Sequence, residues 1–344
     1  MFLVRHAIPD DAPTLLRLAK TVHSGNLPPD ADALHDRIQL SMDSFAGRCV
    51  DGPATYMFVV VDLENDRVAG TSSLVTGKGS ADQPRLFLRV RRREHYSDDL
   101  QAGQVQMTVQ LGEDRSGPTE LGGLVLSSSY RGGLNRLGSL LSKIRFAYVG
   151  MHPERFNRRL IGEIMGDLTA DGRTMLWDHL GRRFINLSYL EADAFSRTSK
   201  EFITSLFPKD EIYVSLLPAE ARRLIGRVSP AAIPAMRMLE RQGFCHSDEV
   251  DPFDGGPYVE AERDEIPLVR DTSRRTIDAV GDVNTEAVEC LVCVSSEDGF
   301  AAMRCPVGQG ANGGVVLSES VAAALGVQAK DEVGMTVMQP SVPE

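Results

Sequence analysis

The sequence has few cysteines and no long apolar run, and each of these two shortages excludes a class of protein. It also has a single tryptophan. Its 344 residues include five cysteines. An odd, sparse set of thiols is typical of a reducing compartment and predicts no disulfide framework. No apolar run approaches the roughly 18 residues of a membrane helix. The first six residues suit a short strand better than a secretory signal. We therefore expect a cytoplasmic protein without a membrane segment.

The sequence also has no excess of basic residues over acidic ones. Lys and Arg number 37 against 48 Asp and Glu, which gives a net charge of −11 at pH 7. This balance argues against a general nucleic-acid binder, which needs clustered cations for the phosphates. Local clusters, such as the arginines of 89–93 and the basic residues of 131–145, remain compatible with a small anionic ligand. The alternative for each cluster is a solvated surface.

One pair of cysteines has a spacing that deserves a separate explanation. Cys290 and Cys293 form a CxxC pair inside an alternating, valine-rich stretch. A zinc site needs a second ligand pair of similar spacing, and the sequence shows none. We therefore predict a buried strand and no metal; a redox or metal role is the alternative.

The hydrophobic pattern predicts a mixed α/β fold. A strand and two helices come first, then a run of antiparallel strands, a strand–turn–helix and a strand–helix–strand. This order lacks the regular alternation of a doubly wound sheet. We predict a main region over 1–265, a polar linker over 266–286 and a small β domain over 287–344.

The strand–turn–helix is the segment with the clearest chemistry. Strand Thr119–Leu126 leads into a turn containing Gly132 and Gly133, and a helix is expected over Leu134–Val149. Free N–H groups at such a turn and helix start bind phosphates. The turn matches neither the G-x-x-x-x-G-K-[ST] pattern of nucleoside triphosphatases nor the G-x-G-x-x-G pattern of dinucleotide-binding folds. A tight loop without a ligand is the alternative.

A second segment and several short strings resemble known proteins. A predicted strand over Ile225–Val228, a helix over Ala231–Gln242 and then Gly243-Phe244 resemble the end of the GNAT acyl-CoA N-acyltransferase fold. More specifically, the chain resembles the arginine N-succinyltransferase family almost from end to end. The matching strings include Ser116-Gly-Pro-Thr-Glu-Leu121, His152-Pro-Glu-Arg-Phe156, Leu176-Trp-Asp-His-Leu-Gly-Arg-Arg-Phe184, Glu240-Arg-Gln-Gly-Phe244, Phe253-Asp-Gly-Gly-Pro257 and Leu317-Ser-Glu-Ser-Val-Ala-Ala-Ala-Leu-Gly326.

The resemblance implies a GNAT-like core with a small C-terminal β-barrel-like domain. It implies succinyl transfer from succinyl-CoA to the α-amine of L-arginine in arginine catabolism, with no metal. It suggests a homodimer or a heterodimer with a paralogue. The CoA-binding strand–turn–helix is then 119–149, and the second motif is 225–257. Ornithine as acceptor and a different acyl donor remain open.

The family pattern also assigns residues to the ligands. The strand leucine that touches succinyl-CoA in the family corresponds to Leu124, and we place Val125 and Leu126 beside it. Arg131 is expected to neutralise a phosphate, while Gly132 and Gly133 allow close backbone approach. Asp254, in the Asp-Gly-Gly turn, either contacts the acceptor or caps its own turn.

The main departure from the family lies at its proposed proton donor. A histidine is expected there, and this chain has Ser229. A serine hydroxyl is a poor acid, so Glu120 as a general base and His246 as a replacement acid or base are the candidates we name. The alternative function is a catalytically weak or inactive CoA-binding partner subunit of a related acyltransferase.

Overall fold

A computed structural model describes residues 1–20, 27–49, 52–80, 83–169, 171–283, 286–297, 299–311 and 313–338. The chain forms two compact units that alternate along the sequence. Unit 1 contains Met1–Thr76, Leu121–Arg158 and Glu262–Glu344, and unit 2 contains Gly77–Glu120 and Arg159–Ala261. Both combine helices and strands, which confirms the predicted mixed α/β class.

The strands are β1 (Phe2–His6), β2 (Thr55–Asp62), β3 (Arg67–Val75), β4 (Arg85–Ser97), β5 (Ala102–Asp114), β6 (Thr119–Leu126), β7 (Arg159–Glu163), β8 (Ile212–Tyr213), β9 (Cys245–Val250), β10 (Pro257–Glu262), β11 (Ser273–Val280), β12 (Val288–Ser296), β13 (Gly299–Gln309), β14 (Val315–Leu317) and β15 (Glu332–Val337). The helices are α1 (Ala12–Ala19), α2 (Ala31–Phe45), α3 (Leu137–Met151), α4 (Arg182–Phe184), α5 (Tyr189–Ser196), α6 (Glu201–Leu206), α7 (Ala219–Arg222), α8 (Ile233–Glu240), α9 (Pro267–Arg270) and α10 (Glu319–Leu325). No helix among these described segments is long and apolar enough to cross a membrane.

Unit 1 is built on the sheet order β1-β2-β3-β6. The first three strands are antiparallel neighbours, with Val4 opposite Val60 and Val59 opposite Thr71. Helices α1 and α2 bury an apolar stripe against this sheet, because their leucines and isoleucine recur at helical spacing. Helix α3 also packs on β3, where the Ser72 hydroxyl donates to the Leu141 carbonyl at 2.9 Å. The sheet therefore holds the first half of α3 in place.

The C-terminal strands of unit 1 close on themselves. They follow the order β12-β15-β11-β14-β13, and β13 pairs again with β12. Strand β13 also pairs with β1, where Val4 lies opposite Ala302. Both thiols of the CxxC pair lie buried in β12, as the alternating pattern predicts. The expected barrel-like region is thus a closed five-stranded ring that shares a strand with the N-terminal sheet.

Unit 2 is built on the sheet order β7-β10-β9-β4-β5-β8. Its core surrounds Trp177, whose ring stacks on Phe253 at a centroid distance of 4.8 Å. The buried Arg85 donates to Asp114 at 3.0 Å and to Glu249 at 2.5 Å. The guanidinium in this core is therefore neutralised by two carboxylates.

Three predicted segments differ in the structure. The strand expected over Ile225–Val228 is wrong: the segment is a turn, because Gly226 adopts a φ of +74°. Segment 266–286, expected to be a linker, contains α9 and β11, and β11 completes the ring between β14 and β15. Helix α3 begins three residues later than predicted, because Arg136 is left-handed with a φ of +47°.

Candidate functional site

The turn after β6 exposes the backbone that leads into α3. The Leu134 side chain is 100% exposed, and a Cβ built on Gly132 or Gly138 would meet nothing within 4 Å. Gly132 has a φ of +71°, which suits glycine and little else. Arg136 is the N-cap of α3 and gives no side-chain cap among the described residues. The first N–H groups of a 15-residue helix therefore face open space.

A cationic recess lies beside this turn within unit 1. It has a volume of about 660 Å³ and is lined by residues 127–131 together with Arg17 of α1 and Arg67 of β3. The Arg131 Nε donates to the Leu126 carbonyl at 2.9 Å, which places the predicted phosphate residue on the rim. Sequence reasoning missed Arg17 and Arg67, because they come from distant segments and no local motif contains them.

Strand β6 has a local irregularity at the predicted contact point. Gly123 has a φ of +59° inside the strand, a backbone conformation that bends and bulges strands. Leu124 and Leu126 are half-buried, whereas Val125 is buried in the cluster beneath α1 and α2. The two leucines are therefore accessible, and Val125 belongs to the core.

Three of the predicted polar residues come together near the end of β7. Glu120 is buried and forms an ion pair with Lys78 at 2.5 Å. The Ser229 backbone N–H donates to the Met165 carbonyl at 3.0 Å. The next residue, Gly166, donates to the Asp254 carboxylate at 2.9 Å. Ser229 and Asp254 thus hold the same short segment that follows β7.

Asp254 directs both carboxylate oxygens at backbone donors. Oδ1 accepts from the Gly256 N–H at 2.7 Å, and Oδ2 accepts from Gly166. The Asp-Gly-Gly turn is therefore closed by its own aspartate, as Asp before Gly commonly does. The last residue of this Asp-Gly-Gly turn must be glycine, because a Cβ on Gly256 would lie 2.0 Å from the Ile164 carbonyl oxygen.

Two further carboxylates join Asp254, and we call Glu163, Asp251 and Asp254 the acidic cluster. Loss of hydration among the surrounding protein atoms raises the pKa of all three carboxyl groups. Mutual repulsion adds to this effect: Asp251 raises the pKa of Glu163, and Glu163 raises that of Asp254. Glu163 ends β7 and keeps solvent access, although the surrounding protein limits its hydration. The Tyr258 hydroxyl donates to it at 3.1 Å. The cluster therefore combines one accessible carboxylate with two buried ones.

Two lysines, Lys78 and Lys200, interact electrostatically with the acidic cluster. Lys78 lowers the pKa of Glu163, while burial and then Lys78 lower the pKa of Lys200. The pKa of Tyr189 rises through burial and then through Asp254. Sequence reasoning missed Glu163; its only local signal is an acidic residue directly after the apolar stretch Leu160–Gly162.

His246 lies apart from this group. It projects from β9 into a recess of about 470 Å³ lined by Arg89, Glu249 and Glu260 among others. Five residues of extended chain separate it from Asp251, which is about 16 Å at the usual strand rise. The structure therefore brings Glu120, Ser229 and Asp254 together and leaves His246 in another place.

Comparison with known protein families supports one identity over nearly all of the chain. Residues 2–268 match the model described as arginine N-succinyltransferase beta subunit, and residues 273–336 match that of its C-terminal domain. An arginine N-succinyltransferase of Yersinia enterocolitica is 36% identical over 280 residues, 80% of each chain. An arginine N-succinyltransferase subunit beta of Pseudomonas aeruginosa is 34% identical over 293 residues, 84% of this chain and 85% of the relative.

A solved structure agrees with these matches. The arginine/ornithine succinyltransferase subunit AI from Pseudomonas aeruginosa superimposes with a TM-score of 0.84. The two proteins share 28% sequence identity, and the match covers 99% of both chains.

Proposed function

The chain belongs to the arginine N-succinyltransferase beta subunit family, and we propose that it transfers a succinyl group from succinyl-CoA to the α-amine of L-arginine. As a member of this family it is an acyltransferase. Succinyl-CoA is the co-substrate that this activity implies. The residues described above supply places for a polyanionic donor and a cationic acceptor.

The donor side of the proposal uses the segment from β6 to α3. We assign the CoA phosphates to the N–H groups around Gly132, Gly133 and the start of α3, with Arg131 as counter-charge. The pantetheine arm would follow β6 past Leu126 and Leu124, which are the accessible leucines of that strand. Val125 supports the strand from the core side.

The acceptor side uses the acidic cluster. L-arginine carries an α-ammonium and a guanidinium, and carboxylates are the natural partners of both. The two oxygens of Asp254 are committed to backbone donors, so we propose that Asp254 attracts the substrate through its charge. Glu163 remains the accessible carboxylate, and we propose that it contacts the amine.

The chemistry requires the amine to lose a proton before it can attack. In the proposed step, the α-amine nitrogen bonds to the thioester carbonyl carbon and the carbon–sulfur bond breaks. One amine proton passes to Glu163, whose raised pKa suits a base working near neutral pH. The CoA thiolate leaves and takes up the second proton, which the nitrogen loses as the amide forms. Glu120 is held in an ion pair by Lys78.

The observation that carries the proposal is the accessible Glu163 within a buried acidic cluster, in a chain of this family. The test is a thiol-release assay with succinyl-CoA and a panel of L-arginine, L-ornithine, L-lysine and glycine. We expect release with arginine or ornithine and none with glycine, which lacks the second cation. Absence of release above the buffer rate with every amino acid would contradict the proposal.

Ser229 favours a second candidate function, a CoA-binding partner subunit with little turnover of its own. The family histidine is replaced, and the serine lies buried against the segment after β7. A partner subunit would bind CoA in equilibrium dialysis, release no thiol, and gain activity on mixing with an active relative. Ser229→His tests whether the rest of the site is intact. A gain of about 10²-fold or more would support a site that lacks only the acid.

Compartment and assembly are further parts of the proposal. The five cysteines are free thiols, which accords with the cytoplasm. We propose a dimer, either of two identical chains or with a paralogue. Light scattering on the purified chain, alone and mixed with a related subunit, measures the assembly.

A further inference from the structure

One buried charge has no role in the proposed chemistry. Arg145 lies in the middle of α3 with 3% of its surface exposed. Its Nη2 donates to the Ser142 hydroxyl at 3.1 Å, and its Nε donates to the Ser142 carbonyl at 3.3 Å. Among the described residues no carboxylate lies within ion-pairing distance of it. These two contacts engage two of the five N–H donors of the guanidinium, whose carbon also lies 5.9 Å from the centroid of the Phe146 ring.

Arg85 shows what a neutralised guanidinium looks like in the same protein. It is 2% exposed, and Asp114 and Glu249 lie 3.0 and 2.5 Å from it. Its pKa is raised, whereas burial alone lowers the pKa of Arg145 to about 9. A buried cation without a counter-ion is costly, so proteins retain one where something compensates it. Among the described residues, no carboxylate serves Arg145 as Asp114 and Glu249 serve Arg85.

The position of Arg145 indicates which anion would fit. Helix α3 starts at the turn where we place the CoA phosphates and runs back alongside β3, the neighbour of β6 in the sheet. The guanidinium bonds Ser142, five residues beyond the helix start, which is about 7.5 Å along the axis. The irregular Gly123 lies three residues before the end of β6, about 10 Å from the same turn. Both features therefore lie at a similar depth, beyond the phosphate end.

On the premise of the proposed function, we infer that Arg145 is the residue that selects a succinyl donor, by binding the free carboxylate at the end of the acyl chain. A planar guanidinium pairs with a carboxylate through two parallel N–H···O bonds. The bond to Ser142 orients the fork. A neutral acyl chain would leave the buried charge uncompensated, so the same residue disfavours donors without the carboxylate.

The first measurement compares two four-carbon donors, succinyl-CoA and the neutral butyryl-CoA. We expect Arg145→Met to lower kcat/KM for succinyl-CoA about 30-fold or more, as removal of one partner of a buried charge pair does. With butyryl-CoA, kcat/KM should be kept or should rise, because the methionine leaves no uncompensated charge beside the neutral acyl chain. Arg183→Met, at an exposed arginine outside the site, is the matched control and should change neither. An equal loss with both donors would overturn the inference, because general damage to the helix acts on both alike.

The second measurement needs no substrate. Urea unfolding of the ligand-free chain should give Arg145→Met a midpoint equal to or above that of the wild type, because the substitution removes an uncompensated buried charge. A lower midpoint would assign Arg145 a structural task and overturn the inference. If Arg145→Met does not fold, Arg145→Lys decides. It keeps the charge and loses the fork, so the succinyl preference should fall about tenfold; an unchanged preference contradicts the inference.

The two proposals fail separately. A wild-type chain that releases no CoA from succinyl-CoA contradicts the proposed function. A wild-type chain that turns over succinyl-CoA, combined with an unaltered donor preference in both Arg145 variants, contradicts only the role of Arg145.

Discussion

Glu163 illustrates how one residue acquires a chemical task from its neighbours. A glutamate at a strand end is ordinarily ionised at neutral pH, but limited hydration and the charge of Asp251 raise the pKa of Glu163. A carboxyl group poised in this way accepts a proton efficiently near neutral pH. The accessible end of β7 is therefore suited to a base, whereas Asp254 is occupied by its own turn.

Replacement of Glu163 tests this task. We expect Glu163→Gln to lower kcat about 10²- to 10⁴-fold, the range for loss of a general base. Because the raised pKa makes the wild-type activity climb as Glu163 loses its proton, the acidic limb of the pH–kcat/KM profile should disappear in the variant. Glu240→Gln, at an exposed position of α8, is the control. A variant that keeps the wild-type acidic limb would show that another group takes the proton.

A second residue, His152, makes the free energy of unfolding depend on pH. Burial lowers its pKa to about 4, and Arg155 adds to this effect; its Nε2 lies 3.1 Å from the Ser295 hydroxyl. The unfolded chain therefore takes up this proton near its ordinary pKa of about 6.5, before the folded chain does. Since the unfolded state then binds more protons, the free energy of unfolding should fall as pH drops from about 6.5 to 4.

The measurement is urea unfolding of the wild type and His152→Gln at several pH values. The glutamine keeps a polar contact with Ser295 and cannot become charged, so its free energy of unfolding should depend less on pH over that window. His35→Gln, at an exposed position of α2, serves as the control. Parallel pH curves for wild type and His152→Gln would contradict the assignment.

At the scale of elements, β6 depends on a glycine in its neighbour. A Cβ on Gly70 of β3 would lie 2.5 Å from the Val125 carbonyl, so the methyl group of alanine must push β6 away. We expect Gly70→Ala to lower the free energy of unfolding by about 1–3 kcal/mol, as overpacking does. It should also raise KM for succinyl-CoA without raising KM for arginine.

The control for this prediction is Gly103→Ala in β5. A Cβ there would meet its nearest neighbour, the Tyr96 ring, at an ordinary 3.5 Å. Thermal unfolding and steady-state kinetics on both variants give the comparison. If Gly70→Ala raised KM for succinyl-CoA and KM for arginine equally, displacement of β6 would not explain the effect.

The elements also show which parts of the fold the sequence predicts. Helix α2 is one of the two helices predicted after the first strand, and its start is capped because the Asp30 carboxylate accepts from the Ala33 N–H at 2.9 Å. The strand predicted over Ile225–Val228 is wrong, because a segment with Gly226 and only two apolar side chains suits a turn as well as a strand. Predicting the gathering of Glu163 with Asp251 requires the register of β7, β10 and β9, which comes from long-range pairing.

For the proposed site, sequence motifs predict residues that are local and give no signal for residues that are distant. Arg131, Gly132 and Gly133 are contiguous and lie at an open turn, so their pattern was readable. Glu163 and Arg145 have no motif, because their importance arises from burial and from the presence or absence of a charged neighbour. His246 was named from its closeness in sequence to Gly243-Phe244, and strand geometry places it elsewhere.

At the scale of the whole molecule, the first and last segments of the chain share one core in unit 1. Strand β13 pairs with β1, and its Phe300 ring lies 5.3 Å from Phe58 and 5.1 Å from Tyr148. The same ring stacks on Phe45 of α2. The five-stranded ring of C-terminal strands is therefore packed into the N-terminal sheet by hydrogen bonds and by an aromatic cluster. We expect these strands and the N-terminal sheet to unfold together.

Phe300→Ala tests this coupling. Loss of a buried phenyl ring costs about 3–5 kcal/mol, and the cavity would open between segments that are distant in sequence. We expect hydrogen exchange in β1 and β2 to accelerate together with exchange in β12 and β13, because one cooperative core loses its centre. Mass spectrometry of exchanged peptides at increasing urea concentrations measures this. Loss of protection in the ring alone, with β1 and β2 unchanged, would mean that the ring is a separate folding unit. The C-terminal strands could then be removed without affecting the turn and helix that we propose bind CoA.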